Sequence, residues 1–332
     1  MVDVTVFVNT YNHEAFIAEA LESVYVQEGL AGIDWEVLIV DDGSTDRTPD
    51  VIRDQFPSVR YIRKTNGGQA TAFNRGLEEA EGEIIAFLDG DDWWHPRKLA
   101  RVLQVFREEP EVGAVGHGIV EVYEGEDREE EDRERPLAPD RPLWVTLDSV
   151  EAARTFQNHK SFLGTSRFAA RRSVLEQITP VPTDLVVEAD EYLFTLAPAL
   201  SDVVILDEPL TYYRLHGGNL FQFRDDSPEK RERKWRVLAA LVRTLPSALE
   251  ARGVSEPVID TILEPLRVSV RRAELIRNGG WPWETLQLER RHARLRGIGS
   301  IWSDPKRLLV FGLASVLPPP VFYQLRSWYA RL

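Results

Sequence analysis

Three aspartates and a glycine stand together in the run IIAFLDGDDWWHP, residues 84–96. In an extended segment residues i and i+2 point the same way, so Asp89 and Asp91 converge while Gly90 lets a ligand approach the backbone. Two carboxylates ~5 Å apart at an effective dielectric of ~20 repel by roughly 3 kcal/mol, so the pair calls for a divalent cation or another positive partner. Helix capping does not account for them. Pro96 suits a first helical position and puts the cap near His95, downstream of the acids. Trp93 and Trp94 either stack on a sugar or plug the end of a sheet, with at least one of them in the core.

Three more stretches carry groups that could react or bind. In DDGSTDRTP, residues 41–49, Thr48 and Pro49 supply the helix start. Asp42 is then free to accept hydrogen bonds from a ligand, such as the imide N–H of a uracil, against the alternative of an Asx turn with Gly43 and Ser44. In VVEADEYLFTLA, Glu188, Asp190 and Glu191 open a helix, where the macrodipole already favours acids. One of the three could instead be a general base toward an attacking hydroxyl, and spacing alone does not choose among them. His216, in YYRLHGGN, could complete a metal site made otherwise of oxygens, or be an ordinary loop histidine. Asn66, Gly67 and Gly68 form a turn before a helix, where backbone N–H groups could meet a phosphate.

The elements that position these groups follow from hydrophobic periodicity. Strands are predicted at Val4–Asn9, Trp35–Asp42, Val59–Arg63 and Glu83–Leu88, with helices at Glu14–Gln27, from Pro49, and at Gln69–Ala80. Such alternation implies parallel strands sandwiched by helices, with Asn9, Asp41, Asp42 and Asp89–Asp92 all at strand carboxyl ends, where ligands gather. A helix at 96–108 follows, then strands at Val112–His117 and Ile119–Tyr123, and an acidic, proline-bearing insertion at 124–142 read as an exposed loop or partly disordered lid. Further on, a helix is predicted at Thr146–Gln157, a short strand at Arg167–Ala170, a helix at Glu188–Leu200, and two short strands within Val203–His216. Amphipathic helices at Glu229–Ala251, Pro257–Arg277 and Trp283–Arg296 then form a C-terminal helical region, 226–332, set off from the main domain, 1–225, near Asp225–Ser227. The main domain divides into two halves, 1–108 and 109–225.

The totals bound the function. With 332 residues the chain can bury a sizeable core, and a formal charge of −14 argues against binding nucleic acid through its phosphates. The absence of cysteine excludes disulfides, thiolate catalysis and thiolate-bound metals. No signal-type segment is read at the start, which predicts a cytoplasmic protein. Leu308–Leu317 is about half the ~20 residues a membrane span needs, so it is expected to pack on the protein or else lie on the inner membrane face as a peripheral contact of the C-terminal helices.

Together these motifs resemble the family 2 glycosyltransferases, the inverting nucleotide-sugar enzymes of GT-A fold. VNTYNHEAFIAEALESVYVQ is similar to the family's opening strand and helix, WEVLIVDDGSTDRT to its nucleotide-binding loop, and AEGEIIAFLDGDDWWHPRKL to its DXD region; the likeness runs from Val2 to Asn219. It implies a Rossmann-like GT-A domain, mostly parallel and sandwiched by helices, with a C-terminal helical appendage. Asp42 would contact the nucleotide base, Asn9, Tyr11, Asn66, Gln69 and Gly90 would line the nucleotide-sugar site, and Asp89 and Asp91 would bind ribose and a metal-bridged diphosphate. Asp91 is the direct ligand of Mg²⁺ or Mn²⁺, with His216 beside it, since YYRLHGGN resembles a YRxHxxN stretch. ADEYL resembles the segment that keeps the catalytic aspartate, which selects Asp190. The chain departs from the pattern at Asn9, where many members have proline, and at Ala189, where an acid is common.

The reaction so implied moves a sugar from a nucleoside-diphosphate sugar, expected to be a UDP-sugar, to a hydroxyl of a carbohydrate or lipid-linked acceptor, as in cell-surface polysaccharide or glycolipid synthesis. The acceptor contacts are expected around His159–Ser166 and the C-terminal helices. Two other readings compete: a sugar-nucleotide binder or partner subunit without turnover, and an aspartate-dependent phosphatase, whose motif LDGDD only superficially matches, since Asp92 and Trp93 follow the second acid.

Overall fold

The computed structural model describes residues 2–123, 134–216, 228–295 and 305–329. The chain divides into two compact units, 1–224 with 247–259, and 225–246 with 260–332. The expected boundary near Asp225–Ser227 lies outside the described residues.

In the first unit, apolar runs of period two become strands β1 (Val4–Thr10), β2 (Trp35–Asp41), β3 (Arg60–Arg63) and β4 (Ile84–Asp89), joined through helices α1 (Ile17–Tyr25), α2 (Thr48–Gln55) and α3 (Gln69–Glu79). These strands pair in parallel in the order β3-β2-β1-β4. Val4, Val6, Val8, Ile39, Ala86 and Leu88 pack against Ile17, Leu21 and Val24 of α1, so one sheet face is sealed by a helix that carries its apolar residues at three- and four-residue spacing. An aromatic group of Phe7, Phe73, Phe87 and Phe168, with ring centroids 5.5–5.8 Å apart, adds a second set of buried contacts. Beyond β5 (Trp93–Trp94) and α4 (Lys98–Glu108) the sheet continues through β6 (Val112–Tyr123), β9 (Ala169–Arg171) and β10 (Asp202–Leu215), giving β4-β9-β6-β10-β5 with β9 antiparallel to both neighbours. The whole is the mixed α/β layer architecture predicted from the alternation.

Several boundaries differ from those predicted, each for a local reason. The two strands expected on either side of Gly118 form one 12-residue β6, and the two expected within 203–216 form one 14-residue β10; irregular register near Pro209 lets both run through as a continuous pair. Thr48 does not cap α2. Its Oγ1 accepts the N–H of His13 at 2.8 Å, while Asp46 Oδ1 accepts the Thr48 N–H at 3.0 Å and takes the capping duty. Within the acidic insertion, 134–137 form β7 antiparallel to β6, and just past it 143–145 form β8 on β10. That part is therefore strand rather than loop, because pairing with a neighbour outweighs the local charge and proline content. Residues 124–133 lie outside the described residues. Helices α5 (Val150–His159), α6 (Arg172–Ile178) and α7 (Ala189–Leu196) complete this unit, with two 3₁₀ turns, Lys160–Leu163 and Thr165–Arg167, between α5 and β9.

The helices α8 (Pro228–Glu250), α9 (Glu256–Asn278) and α10 (Pro282–Leu295) follow the predicted spans closely, and two helices with no predicted span, α11 (Pro305–Val316) and α12 (Pro319–Tyr329), come after them. In the second unit Val268, Leu275, Leu288, Ala314, Phe322 and Tyr323 form a core. Buried Glu289 is neutralised there by Arg272, Arg326 and the Tyr323 hydroxyl. The segment Leu308–Leu317 packs one side into this core through Val310, Leu313 and Ala314, while Leu309 and Val316 are exposed. Among the described residues no helix is long and apolar enough to cross a membrane.

Candidate functional site

The register of the parallel strands sets Asn9 beside Asp89 and Thr10 beside Asp41, so the ends of β1, β2 and β4 bring their polar residues to one edge of the sheet. Asn9 Nδ2 donates toward Asp89 Oδ1 at 3.5 Å, and Asn9 Oδ1 is buried with no hydrogen-bond partner among the described residues. Gly90 has no room for a side chain: an added Cβ would lie 2.7 Å from Thr10 Oγ1 and 2.8 Å from His13 Nδ1. Glycine here lets the turn press against the β1 loop. Asp91 is thereby brought to two imidazoles, with its Oδ2 3.2 Å from His216 Nε2 and 3.8 Å from His13 Nε2. His13 is itself steered by Thr10 Oγ1, 3.2 Å from its Nδ1.

Oxygens of Asp89, Asp91 and Asp92 all lie within 4.8 Å of one another. Burial pushes the Asp89 carboxyl well above the usual carboxylate range, and the charges of Asp91, Asp92 and Asp190 push it the same way. Burial would raise Asp91 too, but the His13 and His216 imidazoles hold it below the usual range. Asp92 is pushed up to about 8 by burial and by Asp91. Its oxygens are nonetheless employed, Oδ2 accepting from the Ser166 hydroxyl and Oδ1 from the Arg214 N–H at 3.0 Å. Asp92 thus ties the turn after β4 to β10.

The acids at the start of α7 separate by their partners. Glu191 pairs with Lys160. Glu188 precedes the helix in a left-handed conformation, φ 53°. Asp190 Oδ2 accepts from the Thr165 N–H at 3.0 Å and the Thr165 hydroxyl at 3.1 Å, and burial raises its carboxyl above the usual range despite those bonds. A carboxylate raised in this way, beside a group of like charges, is suited to take up a proton. Gln69 helps to fix it in place, since its Oε1 accepts the Ala189 N–H at 2.9 Å and its own N–H donates to Val186 O.

The loop after β2 departs from expectation. Asp42 is buried, and its carboxylate is not a free acceptor: Oδ1 accepts from Lys64 Nζ and from the Gly67 N–H at 3.0 Å, and Oδ2 from the Gly68 N–H at 2.8 Å. The same bonds occupy the Gly67 and Gly68 N–H groups read as phosphate donors, and Asn66 is exposed at the turn. Asp42 therefore clasps the 66–68 turn, and only the second lone pair of Oδ2 stays open to a ligand. Tyr11 is 38% exposed on the loop after β1.

The tryptophans divide as core and partner. Trp94 is buried, its Nε1–H donating to Ser166 O at 2.9 Å. Trp93 stacks on Tyr212 with centroids 5.1 Å apart and lies under the Arg214 guanidinium, which also donates to Asp91 O at 2.8 Å. Thr165 and Ser166 lie in the 159–166 stretch expected to hold the acceptor, and Arg214 is the arginine of the YRxHxxN stretch, but their bonds to Asp190, Asp92 and Asp91 were not read from the sequence; nor was the part of His13, an imidazole four residues past Asn9 on a loop already assigned to the crevice.

The profile of Glycosyl transferase family 2 matches residues 5–179. The chain is 35% identical over 223 residues to an uncharacterized glycosyltransferase of Nostoc sp., across 65% of this chain and 66% of that one. It spans 58% of the length of similar uncharacterized mycobacterial proteins, so it corresponds to two thirds or less of these relatives. In fold it is similar to S. aureus TarS in complex with UDP-GlcNAc, with a TM-score of 0.60 at 18% identity over 99% of this chain and 92% of that one. It is also similar to the mannosyltransferase PcManGT from Pyrobaculum calidifontis in complex with GDP-Man and Mn²⁺, with a TM-score of 0.50 at 24% identity over 98% and 82%. The sheet is of the GT-A type that the motifs implied, and the chain belongs to glycosyl transferase family 2.

Proposed function

We propose that the protein is an inverting glycosyltransferase that moves a sugar from a nucleoside-diphosphate sugar, a UDP-sugar in the first instance, to an acceptor hydroxyl. One observation carries this reading: half-buried Asp89 and Asp91 stand together where the strand ends meet, with Asp190 near enough that its charge, like theirs, pushes the Asp89 carboxyl up. Asp190, oriented by Thr165, takes the proton of the acceptor hydroxyl as that oxygen attacks the anomeric carbon from the face opposite the leaving nucleotide. Asp91 and Asp89 hold the diphosphate side, and Asn9 Oδ1 offers an unused acceptor beside them. Tyr11, Asn66, Gln69 and Gly90 line the remainder, and the open lone pair of Asp42 Oδ2 meets the base.

The donor set fits a divalent cation. Carboxylate oxygens from Asp89 and Asp91, with the His216 imidazole against Asp91, suit Mn²⁺ or Mg²⁺, and the unpartnered Asn9 oxygen adds a further hard donor nearby. When bound, such an ion neutralises charge developing on the departing diphosphate. The acceptor is a carbohydrate or lipid-linked hydroxyl, and work at the inner membrane face accords with the exposed Leu309 and Val316 of α11.

A thermal-shift panel of UDP-GlcNAc, GDP-Man and their free diphosphates, each with and without Mn²⁺, tests the reading. A ligand at ~100 times its Kd adds roughly 2.7 kcal/mol, which such a melt resolves. A metal-dependent shift with at least one nucleotide, followed by release of that nucleoside diphosphate when acceptor is supplied, is expected. Absence of any metal-dependent shift would overturn the reading, and shifts without turnover on any acceptor would make the protein a binder instead.

A further inference from the structure

Arg167 closes the 3₁₀ turn whose first residue, Thr165, holds Asp190 with both its N–H and its hydroxyl. Its side chain folds back over Gly164, where an added Cβ would lie 2.7 Å from a terminal guanidinium nitrogen and 2.9 Å from Nε. Glycine at 164 leaves the guanidinium that place. The ring of Tyr213 supports it from β10, 5.3 Å from centroid to guanidinium carbon. Arg167 is half-buried, yet among the described residues its guanidinium makes no hydrogen bond and no ion pair. That is unlike its neighbours. Arg171 donates to Val112 O and Phe106 O, and Arg214 to Asp91 O and Glu19.

A guanidinium offers five N–H donors in a rigid fork, and those of Arg167, spent on no protein acceptor among the described residues, stay available to a ligand. The fork matches the two oxygens of a carboxylate or the edge of a phosphate. Its charge is felt by Asp92 and Asp190, which places it close to both, but neither pairs with it. The donor diphosphate has its own station at Asp91 and His216. An anion on Arg167 would instead lie near Asp190, the group read as the base toward the acceptor hydroxyl.

We propose that Arg167, backed by Tyr213, is an anion subsite for the acceptor, receiving a phosphate or carboxylate that the acceptor carries close to its reacting hydroxyl. The proposal rests on the reading of Asp190 as the base and narrows the acceptor to a negatively charged glycan or phosphate-linked chain.

The test uses the full chain with two matched pairs of probes: methyl glucuronide against methyl glucoside, and sn-glycerol 3-phosphate against glycerol. Binding of each is followed by ligand-observed NMR, first with protein alone and then with UDP and Mn²⁺. At least one charged probe is expected to bind about tenfold tighter than its neutral partner, a difference of about 1.4 kcal/mol. Arg167→Gln should erase that preference and Arg167→Lys should keep part of it, while both variants still bind UDP with Mn²⁺, which reports an intact fold. A preference confined to one pair identifies the anion as phosphate or as carboxylate. Equal binding of charged and neutral probes by the unaltered protein, or a preference that survives Arg167→Gln, would overturn the subsite. Failure to bind UDP with Mn²⁺ would instead count against the transferase reading, and the probe pairs measured with protein alone would still decide the role of Arg167.

Discussion

Asp42 and Asp89 stand at the ends of neighbouring parts of one sheet, and both belong to acidic motifs that look alike in sequence, yet their surroundings are opposite. Asp42 accepts from Lys64 and from two backbone N–H groups, so its charge is answered inside the protein with one Oδ2 lone pair left over. Asp89 receives one long contact from Asn9 and is otherwise surrounded by Asp91, Asp92 and Asp190. The first arrangement makes a clasp that closes a turn. The second stores repulsion that only something from outside can relieve, and that contrast, more than the motif letters, marks where a ligand goes.

The largest effect should come from Asp190. Asp190→Asn keeps size and most hydrogen bonds but cannot take a proton, so transfer should fall by roughly 10³-fold with UDP and Mn²⁺ binding nearly unchanged. Product release from a sugar nucleotide, measured beside nucleotide affinity, separates the two. Transfer at the unaltered rate would remove Asp190 from the role of base.

The clasp and the strained group should then respond to substitution with opposite signs. Asp42→Ala strips partners from Lys64, Gly67 and Gly68, and should cost about 3 kcal/mol in a urea unfolding experiment, with or without Mn²⁺. Asp89→Asn removes one of the repelling charges and should stabilise the metal-free protein by about 2 kcal/mol at pH 8, while shrinking the stabilisation that Mn²⁺ gives. Were Asp89→Asn as destabilising as Asp42→Ala, the repulsion would not be the feature that distinguishes the two loops.

The same contrast explains what could be read from the chain beforehand. The alternation of β1 to β4 with their helices was legible because each element writes its own period, and the gathering of Asn9, Asp41 and Asp89 at one edge follows from parallel pairing. The partners of Asp42 were not legible, because Gly67 and Gly68 lie 25 and 26 residues away on a separate turn. Choosing Asp190 over Glu188 and Glu191 needed either the family likeness or the fold, since what separates them is Lys160 on one and Thr165 on the other. Strand β7 hid inside an acidic stretch because its strand character comes from pairing with β6 and not from its own composition. His13 could have been suspected from its position just past β1; Arg214 stands in the YRxHxxN stretch, but its bond to Asp91 comes only through the register of β10.

The smallest effect tests whether an unanswered buried group is sufficient by itself to mark a ligand station. Lys98 is 0% exposed, its ammonium has no hydrogen-bond partner among the described residues, and it sits 3.2 Å from the centroid of the Trp94 ring. Burial depresses its pKa well below the ordinary value of 10.5. Unlike Asp89 it has no row of like charges, and the Trp94 face already gives a cation some compensation. Because the folded protein binds this proton less readily than the unfolded chain, stability should rise with pH from the depressed folded value toward about 10.5, and fall as pH is lowered through that window. Lys98→Met keeps the stem and removes the charge, so it should stabilise the protein by about 1 kcal/mol at pH 7 and flatten that slope, with UDP and Mn²⁺ affinity unchanged. Urea midpoints at pH 7 and pH 9.5 measure both. A loss of nucleotide affinity in Lys98→Met would mean that an unpaired group deep in the sheet also serves the crevice, and the line drawn between Asp42 and Asp89 would have to be redrawn around access as well as charge.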